Sequence, residues 1–146
     1  MTQIAEIIQG RPLYHAESSE NVRDVARQMA EKNIGAIAIV DAGNLAGVFS
    51  ERDLMIRVVV PGLDADKTPV ANVMTRDPLV ADPIDDIPAA LQKMYSVGCR
   101  HLPVVDHGNL VGMISLRDLL QIDRQKVREK ANFLRELVTH SRDYES

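Results

Sequence analysis

The sequence predicts a mixed α/β (α+β) fold made of two copies of one unit, packed sheet to sheet and followed by a further C-terminal helix. Three observations lead there. The phrase Gly47-Val-Phe-Ser50-Glu-Arg52-Asp53-Leu54 returns sixty-five residues later as Gly112-Met-Ile-Ser115-Leu-Arg117-Asp118-Leu119. The same offset aligns Met29 with Met94, Val40-Asp41 with Val105-Asp106, and Gly43-Asn44-Leu45 with Gly108-Asn109-Leu110. Within each copy, apolar spacing switches from a helical period to short β-branched runs.

The elements follow in order. Ile4 to Ile8 matches Val70 to Met74, and Pro12-Leu13 matches Pro78-Leu79, now at an offset of sixty-six, so a short extended Pro-Leu segment leads each unit. Asn21 to Lys32 carries Val22, Val25, Ala26 and Met29 at helical spacing, and Ile87, Ala90, Leu91 and Met94 repeat the pattern. Ala36 to Val40 and Leu102 to Val105 read as strands, turning through Asp-Ala-Gly-Asn and Asp-His-Gly-Asn into returning strands at Leu45 to Phe49 and Leu110 to Ile114. A helix covers about Glu51 to Val59, and its partner starts at Leu116. This places the first unit at 1–60, a turn-rich linker at 61–69, the second unit at 70–122 and an amphipathic helix and tail at 123–146. One sixty-residue unit barely buries enough surface to fold alone, so the sheets should pack together, with ligand clefts between them.

The repeated Ser-x-x-Asp sits where a strand runs into a helix. It suits a capping box, in which the hydroxyl takes the N3 amide and the acid reaches back to the cap amide, adding about 1 kcal/mol. It also suits, and the recurrence favours, a nucleotide cradle, in which free amides and the helix dipole face a phosphate and the carboxylate accepts from ribose hydroxyls; the two roles can coexist. Capping alone explains neither the glycine nor the arginine of the phrase.

Bulk properties exclude other classes. A net charge of −4 and 3% aromatic residues argue against an extended nucleic-acid surface. No apolar stretch approaches the ~20 residues of a membrane span, the first residues lack a signal-peptide pattern, and the single cysteine, Cys99, permits no internal disulfide, so a cytoplasmic protein is expected. Cys99 and His101 lack a third, orienting group for nucleophilic catalysis, and His15, His101, His107 and His140 show no paired metal-ligand spacing, so neither enzyme activity nor a metal is expected.

The paired Gly-h-h-Ser-x-x-Asp endings, Met74-Thr-Arg-Asp-Pro78 ahead of the second unit and His101-Leu-Pro-Val-Val-Asp106 within it resemble cystathionine-β-synthase (CBS) domains, two of which in tandem form a Bateman module. The resemblance spans about Ile4 to Ile122. It implies two β-α-β-β-α units related by a pseudo-two-fold axis, binding AMP, ADP, ATP, NAD(H) or S-adenosylmethionine in the clefts between them, as a regulatory ligand rather than a required cofactor. It further implies that Asp53 and Asp118 take the ribose hydroxyls and Ser50 and Ser115 contact ribose or phosphate, with Arg52 and Arg117 beside them. The segments Tyr14-His15-Ala16 and Leu79-Val80-Ala81 would line adenine pockets with backbone groups. Arg100-His101-Leu102-Pro103 would reach phosphate, whereas Gly35-Ala36 occupies the matching place in the first unit, so the two clefts should differ.

Beyond the repeat, Val127, Ala131, Leu134 and Val138 form an apolar stripe with Arg and Lys opposite, a reasonable dimer element, and the family commonly forms dimers. The mixed charges of that segment argue against a membrane-surface role. The reading is an adenine-nucleotide sensor of energy or redox state, forming a homodimer and reporting to a target protein. The alternative is an interaction module with empty pockets that acts through its dimer and tail surfaces.

Overall fold

The computed structural model describes residues 2–145, apart from the side chains of Asp123 and of residues 140–145. His140, considered above as a metal ligand, and the end of the tail therefore lie outside the described side chains. The chain begins with a short helix α1 (Ile4–Ile8) and strand β1 (His15–Glu17), then α2 (Val22–Lys32), the hairpin β2 (Ala36–Asp41) and β3 (Asn44–Ser50), and α3 (Glu51–Leu54), which widens into a π-turn at Met55–Val59. A 3₁₀ turn (Val70–Asn72) and β4 (Thr75–Arg76) lead into α4 (Ile87–Val97), the hairpin β5 (His101–Asp106) and β6 (Asn109–Ser115), and α5 (Leu116–Glu145).

Local chemistry accounts for these limits. Asn21 caps α2 by accepting from the Asp24 amide at 2.8 Å, and Asn33 ends it in the left-handed region at φ 53°. Asp86 caps α4 through the Ala89 amide at 2.9 Å, Pro88 occupies its first turn, and Gly98 closes it at φ 68°. Both hairpins turn on a residue pair with positive φ, Ala42-Gly43 and His107-Gly108, and both shift register at the same repeat position, Ile39/Val40 and Val104/Val105.

The first sheet runs β1-β2-β3-β4, with β1 parallel to β2 and the remaining pairs antiparallel. The second pairs β5 with β6, and Ala81 adds a parallel bridge to Val104. β4, which belongs to the second unit in sequence, is the edge strand of the first sheet.

The apolar clusters show the same exchange. Val70, Val73 and Met74 are buried with Val22, Val25, Met29, Ile37, Ile39 and Phe49, whereas Ile4 and Ile7 are buried with Ile87, Met94, Leu102, Val104 and Ile114. Each leading segment crosses to the other half's core, so the spatial halves do not follow the 1–60 and 70–122 division of the chain. Ile4 and Val70 are both 0% exposed, and burial of such a side chain contributes about 2 kcal/mol.

The crossing also explains the glycine of the repeated phrase. A Cβ on Gly47 would lie 2.5 Å from the Thr75 carbonyl oxygen, and one on Gly112 would lie 2.9 Å from Ile8 Cδ1. Each glycine lets the exchanged segment lie directly on its strand.

β3 and β6 meet between the halves. α5 differs from the expected pair of helices on either side of residue 122: it is one continuous element, because no glycine or proline interrupts 116–145.

Candidate functional site

A cavity of about 1130 Å³ opens between the halves. Its walls come from the Arg11–Tyr14 segment, Asn33–Ala36 at the start of β2, Glu51, Arg100 and His101 at the start of β5, the β6-to-α5 junction including Ser115, Arg117 and Asp118, and Leu120, Gln121 and Arg124 on α5. One backbone bond in each half sets this arrangement. The Leu116 amide donates to the Arg100 carbonyl at 2.8 Å and the Glu51 amide to the Gly35 carbonyl at 3.0 Å, so each strand start is tied to the first turn of the helix that follows its hairpin.

Asp118 is the centre of the polar wall. The Ser115 amide donates to its Oδ2 at 3.0 Å, its own amide donates to Ser115 Oγ at 3.1 Å, and Arg11 pairs with Oδ2 at 3.1 Å. Burial works against ionisation of this carboxyl, but the Ser115 amide and hydroxyl and the Arg11 guanidinium outweigh it and hold the group below its ordinary range. Capping therefore occupies part of the carboxylate without closing it off from the cavity.

The carboxylate at the matching seat in the first half has more partners within the chain. Ser50 and Asp53 form the same reciprocal pair, at 3.0 and 3.1 Å. The Thr75 hydroxyl donates to Asp53 at 3.2 and 3.4 Å, and Arg57 lies 3.8 Å from Oδ1 while donating to the Val73 and Met74 carbonyls. Thr75 and the Arg57-bound carbonyls belong to the exchanged segment. Asp53, 9% exposed, thus fastens that segment in place.

His101 packs against Gly35, where a Cβ would lie 3.3 Å from both His101 Cε1 and Glu51 Oε1. The missing side chain at Gly35 makes room for the imidazole and the carboxylate together. Burial pushes the imidazole below its usual range; Glu51 and Asp118 pull the other way, and Arg100 adds to the lowering. A neutral ring at neutral pH follows, so Arg100 rather than His101 carries the positive charge at this strand start.

Of the residues singled out from the sequence, the cavity gathers Tyr14, Gly35, Ala36, Arg100, His101, Ser115, Arg117 and Asp118. Ser50, Arg52 and Asp53 lie at the other seat. His15 and Ala16 belong to β1, and Ala16, Ala81 and Leu102 are core side chains. The Ala81 backbone is spent on Pro103 and Val105, and Pro103 is held in the β5–β6 ladder. Leu79 and Val80 are likewise absent from the cavity wall.

Arg11, Glu51 and Arg124 line the cavity without having been singled out. Arg11 sits directly before the repeated Pro-Leu, and the repeat alone could have directed attention to it; Glu51 and Arg124 need the hairpin start and the unbroken α5.

Four arginines (11, 100, 117 and 124) face two carboxylates (Glu51 and Asp118) in this cavity, a net positive lining in a chain of net charge −4. Such a site attracts an anion that also offers hydrogen-bond donors to Asp118. A second cavity of about 560 Å³, lined by Leu91, Gln92, Met94, Tyr95, Gly98, Cys99 and Leu116, contains no charged side chain. Burial pushes the Cys99 thiol up, away from a reactive thiolate. Among the described residues no cluster of three or more His, Cys, Asp or Glu could hold a metal ion, and no helix is long and apolar enough to cross a membrane.

The CBS domain family model matches twice, over residues 4–60 and 70–124. The chain is 36% identical over 101 residues to the CBS domain-containing protein YhcV of Bacillus subtilis, covering 69% of this chain and 71% of that protein. It is 29% identical over 118 residues to the CBS domain-containing protein CBSX3, mitochondrial, of Arabidopsis thaliana, covering 77% of this chain and 57% of the relative, so it spans little more than half of that protein's length. Among solved structures, a CBS domain protein from Pyrobaculum aerophilum complexed with AMP superposes with a TM-score of 0.74 at 29% identity, covering 80% of this chain and 89% of that one.

Proposed function

The chain belongs to the CBS-domain family, and from that premise we propose that it is a regulatory, non-catalytic module that binds an adenine nucleotide in the cavity around Asp118. The observation that carries the reading is the meeting, in one cavity, of a carboxylate able to accept from a ribose diol and several arginines able to face phosphate. The AMP complex of the Pyrobaculum protein supports the ligand class. In this reading Asp118 takes the ribose hydroxyls, Ser115 contacts ribose or phosphate, the Arg11–Tyr14 segment borders the base, and Arg100 and Arg117 face the phosphate, with AMP, ADP, ATP and NAD(H) as the candidate ligands. Occupancy would report energy or redox state to a target protein, and the exposed apolar face of α5 would pair two copies as a homodimer.

The test is titration calorimetry with AMP, ADP, ATP and NAD(H) on the parent chain and on Asp118→Ala. Dissociation constants between micromolar and millimolar are expected, about 4 to 8 kcal/mol of binding free energy, with a loss of tenfold or more in the variant. Asp53→Ala should leave the constant within a factor of about three, since Asp53 faces Thr75 and Arg57 instead of the cavity. A parent chain that binds none of the four would overturn the reading.

A further inference from the structure

We propose that Arg11 is the specificity-determining residue of this cavity: it exchanges its ion pair with Asp118 for the anionic group of the ligand, and so selects phosphorylated adenosine compounds over the neutral nucleoside. The inference rests on the nucleotide reading above and goes beyond it in naming the residue and the direction of its effect.

Three observations support it. First, Arg11 and the ribose compete for one carboxylate. Arg11 Nη1 sits 3.1 Å from Asp118 Oδ2, an oxygen that already accepts the Ser115 amide. A ribose diol donating to Asp118 meets this guanidinium and displaces it or shares with it. Second, Arg11 is able to move. Its side chain is 43% exposed, its described ion pair is the one with Asp118, and the segment that carries it forms part of the cavity wall. A released guanidinium meets water if the ligand is a nucleoside, and a strong new acceptor if the ligand carries phosphate. Third, the other half lacks the device. In the repeat register that aligns Pro12-Leu13 with Pro78-Leu79, the counterpart of Arg11 is Asp77, a carboxylate. There the equivalent acid, Asp53, is held by Thr75 and by Arg57 from its own helix, in contacts that fasten a core-forming segment. Arg11 therefore gives a single cavity its exchangeable cation.

The measurement is calorimetry with adenosine and with AMP on the parent, Arg11→Gln and Arg11→Glu at one ionic strength, with far-UV circular dichroism confirming the fold of each. Because Arg11 both opposes the ribose and favours the phosphate, Arg11→Gln should lower the affinity ratio of AMP to adenosine. AMP should weaken by about tenfold, while adenosine should bind as tightly as in the parent or severalfold tighter, its acceptor being free of competition. Arg11→Glu, which installs the charge of the counterpart position, should erase the preference for AMP and serves as the second variant if Arg11→Gln is poorly folded. An AMP-to-adenosine ratio unchanged in both variants, or a parallel shift of both ligands, overturns this inference while leaving the nucleotide reading intact. A parent that binds neither ligand overturns both.

Discussion

His101 shows how a single side chain couples the cavity to stability. Its ring lies between Gly35, Glu51 and Asp118, with Arg100 adjacent, and the net effect of burial and neighbours is a lowered pKa. The folded chain therefore favours the neutral ring, while the unfolded chain takes up a proton near pH 6.5. With the folded pKa below the unfolded one, the stability from this group is present above about pH 6.5 and is lost as pH falls through that value toward the folded pKa. Denaturant midpoints measured between pH 7.5 and 5.5 should decline more steeply in the parent than in His101→Gln, the other histidines contributing equally to both. Identical slopes would show that the ring titrates as if solvated. At this scale Ser115 and Asp118 stood out in the sequence because a repeated polar residue at a strand-to-helix junction advertises itself, whereas Arg100 was named through the family resemblance and has Gly35 at the matching place. It did not disclose Arg11 or Glu51, whose importance comes from a chain crossing and a strand start far from them in sequence.

At the scale of elements, the exchanged segments explain what the repeat left open. Helix and strand periods are local and were legible, and the phrase Gly-h-h-Ser was legible as a strand end. Periodicity reports that a face is buried and is silent about what covers it, so α1 on β6 and β4 on β3 were invisible, and the change of offset from sixty-five to sixty-six was their only trace. The two glycines allow a graded test. A Cβ on Gly47 meets a backbone carbonyl oxygen at 2.5 Å, which cannot yield without moving β4, whereas a Cβ on Gly112 meets only side-chain atoms of Ile8, Cδ1 at 2.9, Cγ2 at 3.1 and Cβ at 3.2 Å, which yield in part by rotation and in part by a small shift of α1. Gly47→Ala should cost about 3 kcal/mol, the upper end of the usual overpacking penalty, and Gly112→Ala about 1 kcal/mol. Urea denaturation resolves this difference. Equal costs, or the reverse order, would mean that the β3–β4 contact is looser than its geometry.

For the whole molecule, the decisive feature is that cavity and surface share one helix. The first turns of α5 contribute Leu116, Arg117, Asp118, Leu120, Gln121 and Arg124 to the cavity, and the same uninterrupted helix then presents Val127, Phe133, Leu134, Leu137 and Val138, each about half exposed or more. Met55, Ile56, Val59 and Val60 on and just after the π-turn add a second exposed apolar face. Apolar side chains recurring at helical spacing with no intramolecular cover are expected to meet a partner, and a second copy offers a matching stripe. Light scattering after gel filtration should then give twice the 16.2 kDa chain mass at tens of micromolar. A Leu134→Glu, Val138→Glu variant, which places two carboxylates in the stripe and leaves the cavity untouched, should shift the mass toward the monomer. Leu134 and Val138 lie outside the cavity wall, so the monomeric variant should still bind AMP within about threefold of the parent. A parent that elutes as a monomer would remove the stripe's role in pairing. A monomeric variant that loses AMP binding would show instead that the ligand site is completed across the dimer.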